Sequence, residues 1–503
     1  MSETEESSPS LKLKTARTLK WNTIDRVSSQ VLYAVVGVVL ANLLSKEDFG
    51  LVGALLVFQA FGILFVDSGF GSALLRKKDP TERDWSTVFW FNLAVALTVY
   101  IVLFLCAPLI AEIFQDDRRL IPLSKVMFIS FVLNGLGLVQ TTRLMKRMEV
   151  KQIAIANTVG LTVSGGVGVW LAFAGFGPWA IVWQTVTLSA VKTGWLWITS
   201  KWLPRAGFHI DSLEQIWRVG FSVFSSSALN TFFLYIYSFV IGAFYNLASL
   251  GVYTQADKWS KMGSASISQV LTASFVPLLA KFQDDGENFR RYVRKINRFT
   301  GFILFPVMVG IAVLGEPLFH TLFGNKWDSA IPLFQILTVR GIFVVLISLY
   351  NNYLLALGYA RKLFMVEVVK DVMIFAAILA TVWGHSVELL VWGQLAASLA
   401  TYFVVLRIVS RSTGVRIGEM LADLMPFTLS SLCAGAIAIG IMWMGHGMIT
   451  SVSGLGYNML SLAEMAVMGI AGVAIYTVLM RMIKAPEMPE ATSYLFGRFR
   501  KKS

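Results

Sequence analysis

The sequence predicts an all-α fold, a polytopic helical membrane protein of about 14 transmembrane helices, and three observations carry that expectation. Of the 503 residues, 56% are hydrophobic and only 15% charged, where a soluble domain has roughly 25% charged; the mean hydropathy is +0.65. The apolar residues gather in runs that approach or exceed the roughly 20 residues a helix needs to cross hydrocarbon. The basic residues fall in short clusters between those runs, as topology signals do. The formal net charge of +13 therefore marks loops beside a membrane, and no nucleic-acid partner is expected.

A polar tail at 1–20 is followed by apolar runs at 21–44, 48–74, 87–114, 119–142, 152–175, 178–200, 214–245, 248–279, 297–323, 329–357, 362–384, 387–410, 424–446 and 459–482. The seventh and eighth are long and partly polar. The first ten residues are acidic and Ser-rich, and no small-residue cleavage site follows the first run, so span one is expected to stay as an anchor. Cys106 and Cys433 each lie in an apolar run; a lone pair so far apart is no disulfide framework and no metal site, and both read as packing residues. His209, His320, His385 and His446 fall at span ends or in loops without ligand spacing, so no chemistry, metal or cofactor is assigned to them. Trp21, Trp85, Trp179 and Trp202 fall at span ends as interfacial anchors. Trp183 and Trp259 lie deeper, with packing as the expected role and stacking on a sugar as the alternative.

With the N-terminus inside, thirty-one of the 43 Lys and Arg fall in inner segments or the span ends beside them, and four, Lys46, Arg118, Arg119 and Lys326, in outer loops. That asymmetry places both termini in the cytoplasm and supports an even number of spans. Eight basic residues remain deeper: Arg26, Lys125, Lys192, Arg218, Lys258, Lys261, Arg340 and Lys370. The outer loops are short, so function is expected inside the membrane, as transport, channel activity or intramembrane chemistry.

An internal repeat is visible. Residues 107–114 with Pro122-Leu123 match residues 316–323 with Pro332-Leu333, and Asp48-Phe49-Gly50-Leu51 matches Ser249-Leu250-Gly251-Val252. The expected organisation is an N-terminal six-helix lobe at 21–200, a cytoplasmic linker at 201–213, a C-terminal six-helix lobe at 214–410, two additional helices at 411–482 and a basic tail at 483–503. Six is even, so both copies enter from the same side and the repeat is parallel, about an axis along the membrane normal. Two such lobes are expected to enclose a central cleft.

Charge at bilayer depth costs a few kcal/mol or more per residue, so it usually faces protein or a wet cavity. In span one, Asn22, Asp25, Arg26, Ser29 and Tyr33 share one face; Asp67 in span two lies at about the same depth. Two roles stand open there, an ion pair of Arg26 with Asp67 or Asp25, and a ligand contact. Span seven carries Arg218, then Ser222, Ser226 and Asn230 at four-residue spacing. In span eight Asp257 and Lys261 are four apart and can pair, while Lys258 points roughly 100° away, roughly 15 Å down from Ala248. Arg340 in span ten is expected at a similar depth, and span eleven adds Glu367, Lys370 and Asp371. This group is either an internally neutralised network or the wall of a hydrated cationic cleft whose carboxylates take up protons or Na+. Lys125 and Lys192 extend it into the first half.

Three stretches carry a family resemblance: Thr15-Ala16-Arg17-Thr18-Leu19-Lys20-Trp21-Asn22-Thr23-Ile24, Leu40 to Gly50, and Phe65-Val66-Asp67-Ser68-Gly69-Phe70-Gly71-Ser72-Ala73-Leu74-Leu75-Arg76. Together with Gly251-Val252-Tyr253-Thr254-Gln255-Ala256, they resemble the polysaccharide transporter branch of the multidrug, oligosaccharidyl-lipid and polysaccharide exporter superfamily. The resemblance implies a flippase, not an enzyme, in the bacterial cytoplasmic membrane. It would carry undecaprenyl-pyrophosphate-linked oligosaccharides from the cytoplasmic to the outer leaflet by alternating access, with H+ or Na+ coupling and a polysaccharide polymerase as a partner. Arg26, Arg218, Lys258, Lys261, Arg340 and Lys370 are then the candidate head-group contacts, and Asp67, Asp257, Glu367 and Asp371 the candidate ion-coupling groups. One departure is that the family's Asp late in span seven is absent, since Tyr237 and Ser238 precede Val240-Ile241-Gly242. Two other readings stand beside this one: a cation-coupled multidrug exporter, which needs a net acidic cleft, and an integral-membrane glycosyltransferase or polymerase, which needs a large outer loop.

Overall fold

The computed structural model describes residues 9–67, 69–283, 285–450 and 457–489. Among them it has eighteen α-helices and no strand. The chain forms two compact units that meet in sequence at Gly251 and Val252.

The first unit contains α1 (Pro9–Leu43), α2 (Lys46–Asp67), α3 (Phe70–Arg76), α4 (Glu82–Leu105), α5 (Ala107–Ile113), α6 (Leu120–Met127), α7 (Ile129–Lys146), α8 (Val150–Phe173), α9 (Trp179–Ser200) and α10 (Ile210–Phe244). α11 (Leu247–Ala280) starts at its end. The second unit continues with α12 (Gly286–Val313), α13 (Gly315–Phe323), α14 (Ile331–Ala356), α15 (Ala360–Thr381), α16 (Val387–Thr413), α17 (Ile417–Thr450) and α18 (Tyr457–Met482). Every predicted apolar run is helical, four of them as two helices in series. The interruptions have local causes: Gly69 takes φ 70° between α2 and α3, and Pro108 and Pro317 start the short helices α5 and α13, where proline's missing N–H costs nothing.

Eleven helical stretches among the described residues are long and apolar enough to cross a membrane, and the chain is a multi-pass membrane protein. α9, α11 and α15 lie on the predicted sixth, eighth and eleventh spans but are not among the eleven. α15 carries five charged residues and α11 three.

The segments matched in the sequence start and break alike in the structure. Before α2, Ser45 N donates to Asp48 Oδ2 at 2.9 Å and Asp48 N to Ser45 Oγ at 3.1 Å; before α11, Ser249 N donates to Asn246 Oδ1 at 2.7 Å. Both are helix-start caps that satisfy an orphan N–H. The breaks at Cys106 (φ −80°, ψ 0°) and Leu314 (φ −78°, ψ 2°) also match. In the loop before α6, Arg119 donates to both Asp117 oxygens, and this holds the Asp117 carboxyl below the usual carboxylate range.

In the first unit α8 packs between α1 and α9, while α10 packs on α2, α3 and α4. One end of this unit is clamped by Arg143, whose guanidinium lies over the rings of Trp85 and Trp202, 5.4 and 5.1 Å from their centres, and donates to Glu82 at 2.9 Å. Trp202 Nε1 donates to the same carboxylate at 2.7 Å. In the second unit α12 packs on α14 and α17, and α16 on α14 and α15. A buried polar chain ties three of these helices: Tyr350 donates to Asn297 Oδ1 at 3.2 Å, and Asn297 Nδ2 to the Met420 carbonyl at 2.9 Å. Buried polar atoms so satisfied fix one helix register.

Candidate functional site

On α11, Tyr253, Asp257 and Lys261 recur every four residues and so share a helix face. Ser264, Ser268 and Thr272 continue it towards α14. Ser264 abuts Gly341, Ser268 donates to Ser348 at 3.0 Å, and Asn352 donates to Thr272 at 2.9 Å. The numbers rise together, so α11 and α14 run in the same direction. This register puts Arg340 level with Gly263 and Ser264, roughly 7 Å beyond Lys258 at 1.5 Å per residue and nearer the level of Lys261.

The charges divide into paired and unpaired. Lys261 Nζ donates to Asp257 Oδ2 at 2.5 Å, as the four-residue spacing predicts. Lys370 pairs with Glu367 on α15 and lies 3.8 Å from Asp371. Lys258 is half-buried and has no carboxylate partner among the described residues; its Nζ lies 5.5 Å from the Trp259 ring centre. Trp259 is fixed by its own bond to Gln255 Oε1 at 3.1 Å and by the Phe323 ring, 5.5 Å away. Arg340 also has no ion pair among the described residues, and donates from Nε to Ser398 Oγ on α16 at 3.1 Å. One turn earlier on α16, Gln394 reaches the Tyr253 hydroxyl at 3.5 Å. Among the described residues, two carboxylate oxygens, Asp257 Oδ1 and Asp371 Oδ1, are buried with no hydrogen-bond donor.

The first unit distributes its predicted residues differently. Asp25 turns to α8, where Asn157 Nδ2 donates to both its oxygens at 3.2 and 3.0 Å, and Ser29 donates at 3.4 Å. Lys192 of α9 lies within the electrostatic reach of Asp25. Arg26 is exposed on α1 and joins neither Asp25 nor Asp67; Asp67 is exposed at the end of α2. Of the two roles open for Arg26, the ion pair is not formed. Arg218 lies on α10, and its side chain is outside the described residues. Ser222, Ser226 and Asn230 form an exposed polar stripe further along α10. Lys125 Nζ lies over the Phe104 ring at 4.4 Å. His446 has its side chain, and the basic tail from 490 all its residues, outside the described residues.

A family model described as "Polysaccharide biosynthesis protein" matches residues 39–332, more than half of the chain. The chain belongs to this polysaccharide biosynthesis protein family. Among its relatives are the teichuronic acid biosynthesis protein TuaB of Bacillus subtilis, 23% identical over 86% of this chain and 90% of that protein, and the lipopolysaccharide biosynthesis protein WzxC of Escherichia coli, 26% identical over 87% and 90%. The succinoglycan biosynthesis transport protein ExoT of Rhizobium meliloti is 25% identical over 76% and 78%. The fold is that of the lipid II flippase MurJ in an inward closed conformation, with TM-score 0.72, 15% identity, and 92% of this chain and 99% of that one covered. An inward-facing multidrug resistance MATE transporter follows at TM-score 0.57 and 16% identity, over 77% and 96%.

For this member of the family, sequence reading found the charges but missed several neutral partners. Asn157, Ser398 and Gln394 are ordinary polar residues in apolar helices. The only signal was that an amide or hydroxyl at bilayer depth needs a partner, which does not say which charge it serves. Tyr237, where the resemblance expected an Asp nearby, is buried.

Proposed function

We propose that this protein is a flippase that carries undecaprenyl-pyrophosphate-linked oligosaccharides from the cytoplasmic to the outer leaflet of the bacterial cytoplasmic membrane. In this reading fourteen helices cross the membrane and both termini are cytoplasmic. The observation that carries it is Lys258, a half-buried cation on a membrane helix with no carboxylate partner among the described residues. A pyrophosphate supplies the missing anion, and charge-assisted contacts of this kind are among the strongest hydrogen bonds. Family membership and the transport and biosynthesis names of the relatives support the same reading.

Lys258 and Arg340 are the strongest head-group contacts, because Lys261 and Lys370 already hold carboxylates. Arg26 and Arg218 are assigned the same role in the first unit. Asp257 and Asp371, each with a buried oxygen that meets no donor among the described residues, are assigned to H+ or Na+ coupling, with Glu367 and Asp67 as further carboxylates. The site is exposed alternately to the two sides while the lipid tail stays in the bilayer. A polysaccharide polymerase receives the unit outside.

The test is deletion of the gene followed by identification of lipid-linked glycan. Accumulation on the cytoplasmic leaflet is expected. Loss of polymer length without accumulation would overturn the proposal in favour of a polymerase, and drug sensitivity with normal glycan would favour the multidrug reading.

A further inference from the structure

The first turns of α12 hold a second cationic feature, apart from the residues assigned above. Arg290, Arg291, Arg294, Lys295 and Arg298, with Phe299, line a cavity of about 620 Å³. Three of the arginines lie four residues apart on one face and are held from α17 and from the segment after α18. Arg290 Nη2 donates to both oxygens of Glu419 at 3.0 and 2.8 Å. Arg294 donates to both oxygens of the buried Asp423 at 3.0 and 2.9 Å, and Arg298 Nε to Glu487 at 2.6 Å. A guanidinium has five N–H donors in a rigid fork. These pairs therefore fix each group in place and leave other donors over for the cavity.

The carboxylates do not exhaust the charge. Five basic side chains line the space against four carboxylates, the lining Glu287 and Glu487 and the paired Glu419 and Asp423, and Arg291 is exposed and pairs with no carboxylate among the described residues. The position along the helix is equally informative. Residues 299–313 carry no charge, so the cavity sits where α12 enters hydrocarbon, the level at which lipid phosphates lie. Basic pockets between membrane helices at that level suit anionic head groups, and Arg matches phosphate geometry.

We propose that this cavity binds the phosphate head group of an anionic phospholipid. The acyl chains lie along the apolar turns that follow Phe299, and Arg291 and Lys295 close over the phosphate. The diphosphate of the lipid-linked cargo proposed above has the same chemistry, so the test separates the two sources.

Full-length protein in detergent micelles is titrated with phosphatidylglycerol, phosphatidylcholine or inorganic pyrophosphate. Retained lipid is read by native mass spectrometry, and thermal unfolding is followed in parallel. Phosphatidylglycerol is expected to be retained roughly tenfold more tightly than phosphatidylcholine. The double variant Arg291→Gln/Lys295→Gln, which leaves the three arginine–carboxylate pairs intact, is expected to lose most of that preference, and Arg291→Lys to keep it. Equal retention of the two lipids, or an undiminished preference in the double variant, overturns the proposal. Stabilisation by pyrophosphate with none by phosphatidylglycerol also overturns it and assigns the cavity to a diphosphate. None of these readouts depends on transport, so the deletion test of the flippase reading succeeds or fails separately.

Discussion

Gly251 stands against Gly50 with no room for a side chain on either. A Cβ on Gly251 would lie 2.9 Å from the Gly50 nitrogen and 1.9 Å from the Lys46 carbonyl oxygen, and one on Gly50 would lie 1.7 Å from the Leu247 carbonyl oxygen. The contact is reciprocal, each glycine of the repeat meeting the start of the other's helix. Gly251→Ala or Gly50→Ala is expected to cost about 1–3 kcal/mol, because the opposing atoms are backbone and cannot rotate away. Gly310→Ala on α12, with open space around it, should leave stability unchanged or slightly raised. Thermal unfolding of the three purified variants checks the contrast.

Lys258→Gln is expected to lower transport of lipid-linked oligosaccharide roughly tenfold or more, the effect of losing one charged hydrogen bond of about 1.5–3 kcal/mol. Protein abundance and unfolding temperature should stay near wild type, since no ion pair is broken. Lys258→Arg should retain most activity. Flipping assayed in proteoliposomes against abundance checks this, and wild-type rates in Lys258→Gln would remove the residue from the site.

Asp257 and Lys261 should be energetically coupled. Removing one partner leaves the other's partly buried charge uncompensated, which is costlier than removing both. The double variant Asp257→Asn/Lys261→Gln is therefore expected to be more stable than the sum of the single effects implies, by about 0.5–2 kcal/mol. A double-mutant cycle on unfolding free energies measures it; additivity would mean that the 2.5 Å contact contributes nothing.

Arg143→Lys keeps the charge but loses the planar group that lies over Trp85 and Trp202. The expected loss is about 1–2 kcal/mol, accompanied by a change in tryptophan emission as the two rings lose their cover. Unfolding followed by fluorescence reads both at once.

Much of the local order was legible in the residues. The spacing of Asp257 and Lys261 predicts their pair. The match between Asp48-Phe49-Gly50-Leu51 and Ser249-Leu250-Gly251-Val252 points to equivalent helix starts, and both carry the same kind of cap. Arg26 shows the limit. Its neighbour Asp25 and the nearby Asp67 made an ion pair plausible, yet Asp25 is taken by Asn157, 132 positions away in sequence. Nothing in the spacing of either residue encodes that choice.

The sequence by itself determined that this is an all-helical membrane protein, where its helices run, and which charges interrupt its apolar helices. Those properties depend on hydropathy and on the 3.6-residue period, both local. Only the tertiary structure decided which charges find a partner beyond their own helix. Lys261 and Lys370 are neutralised within their own helices, Arg294 by a carboxylate on α17, and Arg340 meets a hydroxyl on α16, while Lys258, with no carboxylate partner among the described residues, lies beside an aromatic ring. The reason is that the worth of a buried charge depends on its partner, and a partner on another helix is set by packing between residues far apart in sequence, 58 positions for Arg340 and 129 for Arg294.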